Sequence, residues 1–240
     1  MPLTIIEIIK PAEQGLSTPF LCRGDDDALY FVKGRNSGRA SQWAEWLAGH
    51  VGRAFGLPIP PFCLAQVPAN LVRECPAELR PIGAGIAFAS RQREAAQWLE
   101  PAAIGRVPVS LRRDVLVFDW WIRNLDRTRG NPNLLWAPAS EELVVIDHNQ
   151  AFDPDFSASD FLANHLFSAD AEAVFSDLVE QARYLERIER ALEVWDSACD
   201  NAPPEWRWAN DEQDVPANFD PDAARAVLAC CSTPYFWRRP

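Results

Sequence analysis

LDRTRGNPNLLW at residues 125–136, followed after a short turn by LVVID at 143–147, is the stretch on which the fold turns. Upstream of it, Leu111, Val115, Phe118 and Ile122 recur at helical spacing, which predicts a helix over 111–124. The polar run from Asp126 holds Gly130 and Pro132, so the helix cannot continue through it. NLLW (133–136) and LVVID (143–147) are short apolar runs joined by APASEE (137–142), which reads as a hairpin. The predicted order is helix, loop carrying Asp126 and Asn131, then a hairpin ending in Asp147. A hairpin that folds back on its own loop can bring the two carboxylates together in space.

Before this stretch, LTIIEII (3–9) suits a strand, and FLCR (20–23) with ALYFVK (28–33) suits a hairpin turning at Gly24 to Asp27. A polar loop, Glu13 to Thr18, lies between them. Residues 39–55 form a predicted helix whose buried face is Ala44, Leu47, Ala48, Val51 and Phe55. Gly56 and the prolines of LPIPP (57–61) stop it. Two further strands are expected near 62–67 and 86–90. After the central stretch, residues 170–199 read as one amphipathic helix, with Val174, Leu178, Ala182, Leu185, Ile188, Leu192 and Trp195 inward. Residues 201–218 read as an acidic loop that Trp206 and Trp208 pin to the helical part. Asp220-Pro221 caps and starts a last helix. The pattern predicts an α+β chain, with a β-rich part over 1–90 carrying one helix and a mainly helical part over 91–240.

A chain of 240 residues that is 48% hydrophobic, with ten tryptophans, has the material for a substantial core and is not a disordered segment. A net charge of −11 argues against nucleic-acid backbones and anionic membrane surfaces as partners, since both demand clustered Lys and Arg. No stretch approaches the ~20 apolar residues of a membrane span, and no leader pattern opens the chain, so a cytoplasmic location is expected. The six cysteines and three histidines lack the paired spacing of a zinc site and read as free thiols and packing groups. His148 and the Trp43–Trp46 and Trp120–Trp121 pairs are likewise expected to pack rather than to react or stack on bases.

Four elements in this order carry chemistry. A strand ends in Lys33, a helix carries Glu45, a loop carries Asp126 and Asn131, and a hairpin ends in Asp147. Phosphoryl transfer uses such parts: a lysine for nucleotide phosphates with a carboxylate to hold it, an Asp to orient a hydroxyl, and hard oxygen donors for magnesium.

LDRTRGNPNLL followed by VVIDHNQAF resembles the catalytic loop and metal-binding Asp of HipA-like atypical protein kinases, which share a phosphatidylinositol-kinase-type catalytic core. LYFVKGRNSGRASQWAEWLAGHVGRAFGLPIPP resembles their lysine strand and following helix. The likeness spans roughly residues 10–155. It implies a two-lobed protein-kinase-like fold forming one catalytic domain, with a small β-rich N-lobe and a mainly helical C-lobe. It further implies ATP and Mg2+ as cofactors, Asp126 as catalytic base and Asn131 and Asp147 as magnesium ligands. Lys33 is then the phosphate-contacting lysine, Glu45 its partner, and Gly15, Ser17 and Thr18 belong to the phosphate-covering loop. The chain departs from the lipid-kinase pattern at Thr128, where a His is usual, and it follows Asp147 with His148-Asn149 rather than Phe-Gly.

The acceptor implied is a Ser or Thr of a protein. A small molecule or lipid headgroup as acceptor, and a nucleotide-binding pseudokinase acting as an interaction module, are the alternatives.

Overall fold

The computed structural model describes residues 3–12, 18–233 and 235–238. In chain order the elements are β1 (Leu3–Pro11), β2 (Phe20–Gly24), β3 (Leu29–Lys33), α1 (Arg39–Phe55), β4 (Phe62–Val67), α2 (Ala69–Glu74) and β5 (Gly85–Arg91). They continue with β6 (Gln97–Trp98), α3 (Val109–Trp121), β7 (Leu134–Ala137), β8 (Glu142–Val145) and α4 (Ala158–Asn164), then α5 (Ala171–Phe175), α6 (Leu178–Leu192), α7 (Trp195–Asp200) and α8 (Pro221–Ala229). The fold is mixed α+β. Its residues divide into two compact units.

The first unit takes in residues 1–46, 60–94 and 202–219. Its five strands close into a barrel in the order β1-β2-β3-β5-β4. β1 and β4 run parallel, and every other neighbouring pair is antiparallel. Alternation puts Phe20 and Cys22, Tyr30 and Val32, Ala65 and Val67, and Ala87 and Ala89 into one core. On β1 the inward residues Ile5 and Ile8 are three apart rather than two. A register shift against β2 between Ile5 and Glu7 accounts for this, as a bulge reverses which face each later residue meets. The neighbouring Ile6 is left 49% exposed.

Residues 202–219 overturn an expectation. Trp206 does not pin this stretch to helices of the second unit but belongs to the first. Its indole N–H donates to the Ile86 carbonyl (3.0 Å), and its own carbonyl accepts from the Trp43 indole (3.0 Å). A buried indole must find an acceptor, and β5 supplies one.

The second unit takes in residues 47–59, 95–201 and 220–240, so the division falls inside α1, after Trp46. All five residues of the expected α1 face are buried. Gly56 adopts φ +99°, and Leu57 N donates to the Gly52 carbonyl (2.9 Å), the left-handed stop that glycine makes without strain. β6, β7 and β8 form a three-stranded sheet. Trp121 donates to the Leu228 carbonyl on α8 and Trp120 to that of Phe236, so this pair packs, as expected.

The single helix expected over 170–199 is three helices. Asp177 caps α6 by accepting from Val179 N and Glu180 N, an arrangement that requires extended backbone at Asp177 and so ends the preceding turn. The break changes the helical phase. Tyr184, Ile188 and Ala191 face inward on α6, while Leu178, expected inside, is 78% exposed.

All six cysteines are free thiols, and burial pushes Cys22 up to about 12. Among the described residues no helix is long and apolar enough to cross a membrane.

Gly34, next after Lys33, tolerates no side chain: a Cβ there would lie 2.1 Å from the Ile82 carbonyl oxygen. Gly34→Ala is expected to destabilise the protein by about 1–3 kcal/mol, since backbone must move to admit it. Urea denaturation of the variant beside the parent measures this.

Candidate active site

The loop after α3 is built around a buried guanidinium. Arg127 is fully buried, as is Asp119 on α3. Arg127 Nε donates to Asp119 Oδ2 (2.6 Å), and its Nη1 reaches the carbonyls of Pro132 (3.3 Å), Asn133 and Ile146 (3.3 Å). One side chain therefore ties together the residue after Asp126, the end of the Asp126 loop, and the residue before Asp147. Ile146 N also donates to the Asn133 carbonyl (3.2 Å), which closes the hairpin onto the loop.

Within the loop, Thr128 N donates to the Asn131 carbonyl (2.9 Å), and Asn131 N to Thr128 Oγ1 (3.2 Å). Asn131 Nδ2 donates to the Asp126 carbonyl (3.4 Å). Asp126 N is held by the Asn124 side chain (3.2 Å), and Asp126 Oδ2 accepts from Asn133 Nδ2 (2.9 Å). Asp147 and Asn133 sit at φ +59° and +47°, the left-handed region that Asp and Asn tolerate best among residues with side chains. Expected residues Asp126, Asn131 and Asp147 thus share one loop–hairpin assembly in the second unit.

Lys33 and Glu45 lie in the first unit and form an ion pair. Both are buried, at 6% and 3% exposure. Gln42 Nε2 donates to the Lys33 carbonyl (2.8 Å) and its Oε1 accepts from Arg39, so a second contact joins α1 to the end of β3. A buried ion pair is poor value for stability, because desolvation offsets most of the attraction. Its presence at a strand end, where a lysine normally points to water, makes the pair a candidate site. Thr18 is exposed, with its carbonyl held by Asn36 Nδ2 (2.9 Å) three residues past Lys33. Gly15 and Ser17 lie outside the described residues.

The sequence reading missed Asn133, Asn124, Arg127, Asp119 and His165. Asp119 could have been found, since an acid inside the apolar run VLVFDWWI needs a buried partner. Phe167 N donates to His165 Nδ1 (3.1 Å), so the ring proton sits on Nε2 and goes to Asp119 Oδ2 (3.0 Å). Burial holds His165 below its ordinary value, against the opposing pull of Asp119. Burial alone would raise the Asp119 carboxyl, but the Arg127 charge and the His165 N–H outweigh it and keep it below the usual carboxylate range. His148 packs edge-on against Phe118.

The chemistry of the donors suits magnesium. Asn131 and Asp147 offer an amide and a carboxylate oxygen, the hard ligands that magnesium takes one or two at a time alongside substrate phosphates. Among the described residues no group of three or more His, Cys, Asp or Glu gathers in the manner of an all-protein metal cage.

Asp119→Asn is expected to cost about 3–5 kcal/mol, because it leaves a buried guanidinium without its counter-charge. Stability should also depend on pH with a definite sign. Both folded values are depressed, so the contribution is complete above the ordinary values of 6.5 for His165 and 3.8 for Asp119. It is lost as pH falls through them, because the unfolded chain then binds protons that the folded one resists. His165→Asn should flatten the upper window and leave the share due to His50, which burial also lowers. Urea midpoints at about pH 7.5 and 5.5 for both chains read this out, and an unchanged slope in the variant contradicts a neutral His165.

Comparison with known proteins bears on this arrangement. A family model described as HipA-like kinase matches residues 5–240. No curated protein matches the chain. Among solved structures, the crystal structure of a Helicobacter pylori proinflammatory kinase, CtkA, aligns over 97% of this chain and 95% of that one. Its TM-score of 0.52 at 12% identity is a likeness of fold. The family match covers nearly the whole chain, the loop–hairpin assembly and the Lys33–Glu45 pair included. The chain belongs to the HipA-like kinase family.

Proposed function

We propose that this protein is an ATP- and magnesium-dependent phosphotransferase that moves the γ-phosphoryl group to a hydroxyl, with a Ser or Thr of a protein as acceptor. The observation that carries the reading is the Arg127 clamp. By binding carbonyls at 132, 133 and 146, it draws the Asp126–Asn131 loop and the Asp147 hairpin into one assembly. Membership of the HipA-like kinase family supports the reaction class.

Asp126 receives the proton of the acceptor hydroxyl as its oxygen bonds to the γ-phosphorus and the bond from that phosphorus to the β–γ bridging oxygen breaks. Asn133 Nδ2 holds Asp126 Oδ2, which fixes the rotamer and directs the other carboxylate oxygen to the hydroxyl. Asn131 and Asp147 would hold Mg2+, which when bound neutralises charge on the phosphate oxygens. Lys33, oriented by Glu45, contacts nucleotide phosphates. The net charge of −11 disfavours an anionic lipid surface and so favours a protein acceptor over a lipid headgroup.

The test is phosphoryl transfer from labelled ATP with magnesium, separating labelled protein from extractable small molecules. Asp126→Asn should lower turnover by about 10²–10⁴-fold, the range for loss of a general base, with ATP binding kept. Label appearing only in small molecules would replace the protein acceptor by a metabolite-type one. Unchanged turnover in Asp126→Asn contradicts the assignment of the base, and ATP binding without turnover in the parent chain favours a pseudokinase.

A further inference from the structure

The stretch from Ala202 to Phe219 has the composition of a solvated loop, yet at its centre Trp206 is fully buried. Its surroundings are specific. The ring meets Trp43 and Trp46 of α1 edge to face, at centroid distances of 6.1 and 6.4 Å. Phe219, at the end of the stretch, stacks flat on Trp43 at 5.7 Å. Arg35 pairs with Asp211 midway along.

Trp206 contacts the helix that carries Glu45 and the strand beside Lys33. Trp43 and Trp46 lie three residues apart and so share a face of α1, on either side of Glu45 in sequence. The Trp206 indole N–H bonds the Ile86 carbonyl on β5, two residues before Phe88, and Phe88 is the residue paired across the ladder with Lys33. Trp206 therefore grips the helix that carries Glu45 on one side and the strand that neighbours Lys33 on the other. A helix turns by ~100° and rises 1.5 Å per residue, so a small rotation or slide at Trp43 or Trp46 carries the Glu45 carboxylate away from the ammonium.

We infer that Trp206 is a positioning residue for the nucleotide-phosphate contact. It sets the rotation of α1 against β5, and thereby holds Glu45 on Lys33. The inference rests on the role given above to the Lys33–Glu45 pair. Trp206 touches no substrate in this account and acts only through that pair.

A double-mutant cycle on the full chain tests it, with ATP affinity read by titration calorimetry, KM for ATP read alongside, and the thermal midpoint of each variant recorded. The variants are Glu45→Gln, Trp206→Phe and both together. Trp206→Phe keeps a ring but loses the N–H to Ile86, and Trp43→Phe, which loses the N–H to the Trp206 carbonyl, stands in for it should that variant fail to fold. Trp206→Phe is expected to weaken ATP by about tenfold in the parent and by less than about twofold in the Glu45→Gln background, because the two changes break one coupled unit. A residue that merely stabilises the unit would lower the thermal midpoint and leave the two losses independent. Equal losses in both backgrounds, or no loss in the parent, overturn the inference alone. No loss from Glu45→Gln itself overturns the role of the ion pair, and the inference falls with it.

Discussion

Arg127 holds a full positive charge where no water reaches it. A guanidinium in that position must satisfy its donors from the protein, and it does so with Asp119 and with three backbone carbonyls drawn from two separate segments. The five donors of the guanidinium have a fixed fork geometry, so the arrangement that answers them is obligatory. Asp119 is in turn fixed by Asn124 and by the neutral His165 ring, and His165 is fixed by Phe167 N. From this one group follows the course of the loop from Asp126 to Asn133 and the approach of the strand that ends beside Asp147. The expense of desolvating the charges is offset by a shape that does not depend on flexible surface contacts.

The first unit uses a second buried pair differently. Arg127 answers to main chain and forms a scaffold, whereas Lys33 and Glu45 answer to each other across two elements, a strand and a helix. Such a pair is sensitive to the relative setting of those elements. The barrel fixes the strand, since closure removes its freedom to slip. α1 is set by the Gln42 bond to the Lys33 carbonyl and by the tryptophan contacts of residues 202–219.

Much of the fold was legible in the sequence because the relevant signals are local. The barrel strands and the hairpin that ends near Asp147 show as short apolar runs bounded by Gly, Pro and Asp. α1 shows through its five apolar residues and the Gly56 stop. What was not legible turned on side-chain partners that residue spacing does not reveal. The helix expected over 170–199 was read as continuous because spacing alone does not register that the Asp177 side chain prefers to cap. Trp206 was assigned to the wrong partner because composition announces that an indole will be buried, without saying against what. The expected site residues Asp126, Asn131 and Asp147 stood out as polar breaks in an apolar frame. Asn133 was hidden among turn residues, and Arg127 resembled any loop arginine, since nothing local distinguishes a buried guanidinium from a solvated one.

The most direct measurement is the affinity for ATP with and without Mg2+, by titration calorimetry, for the parent chain, Asp147→Ala and Lys33→Ala. If Asp147 holds magnesium against the nucleotide, the parent binds ATP more tightly with the metal, and Asp147→Ala loses that dependence by about tenfold or more. Lys33→Ala should weaken ATP at both metal levels and keep the dependence. A magnesium effect that survives intact in Asp147→Ala contradicts the placement of the metal, and with it the reading of the loop–hairpin assembly as a phosphotransfer site.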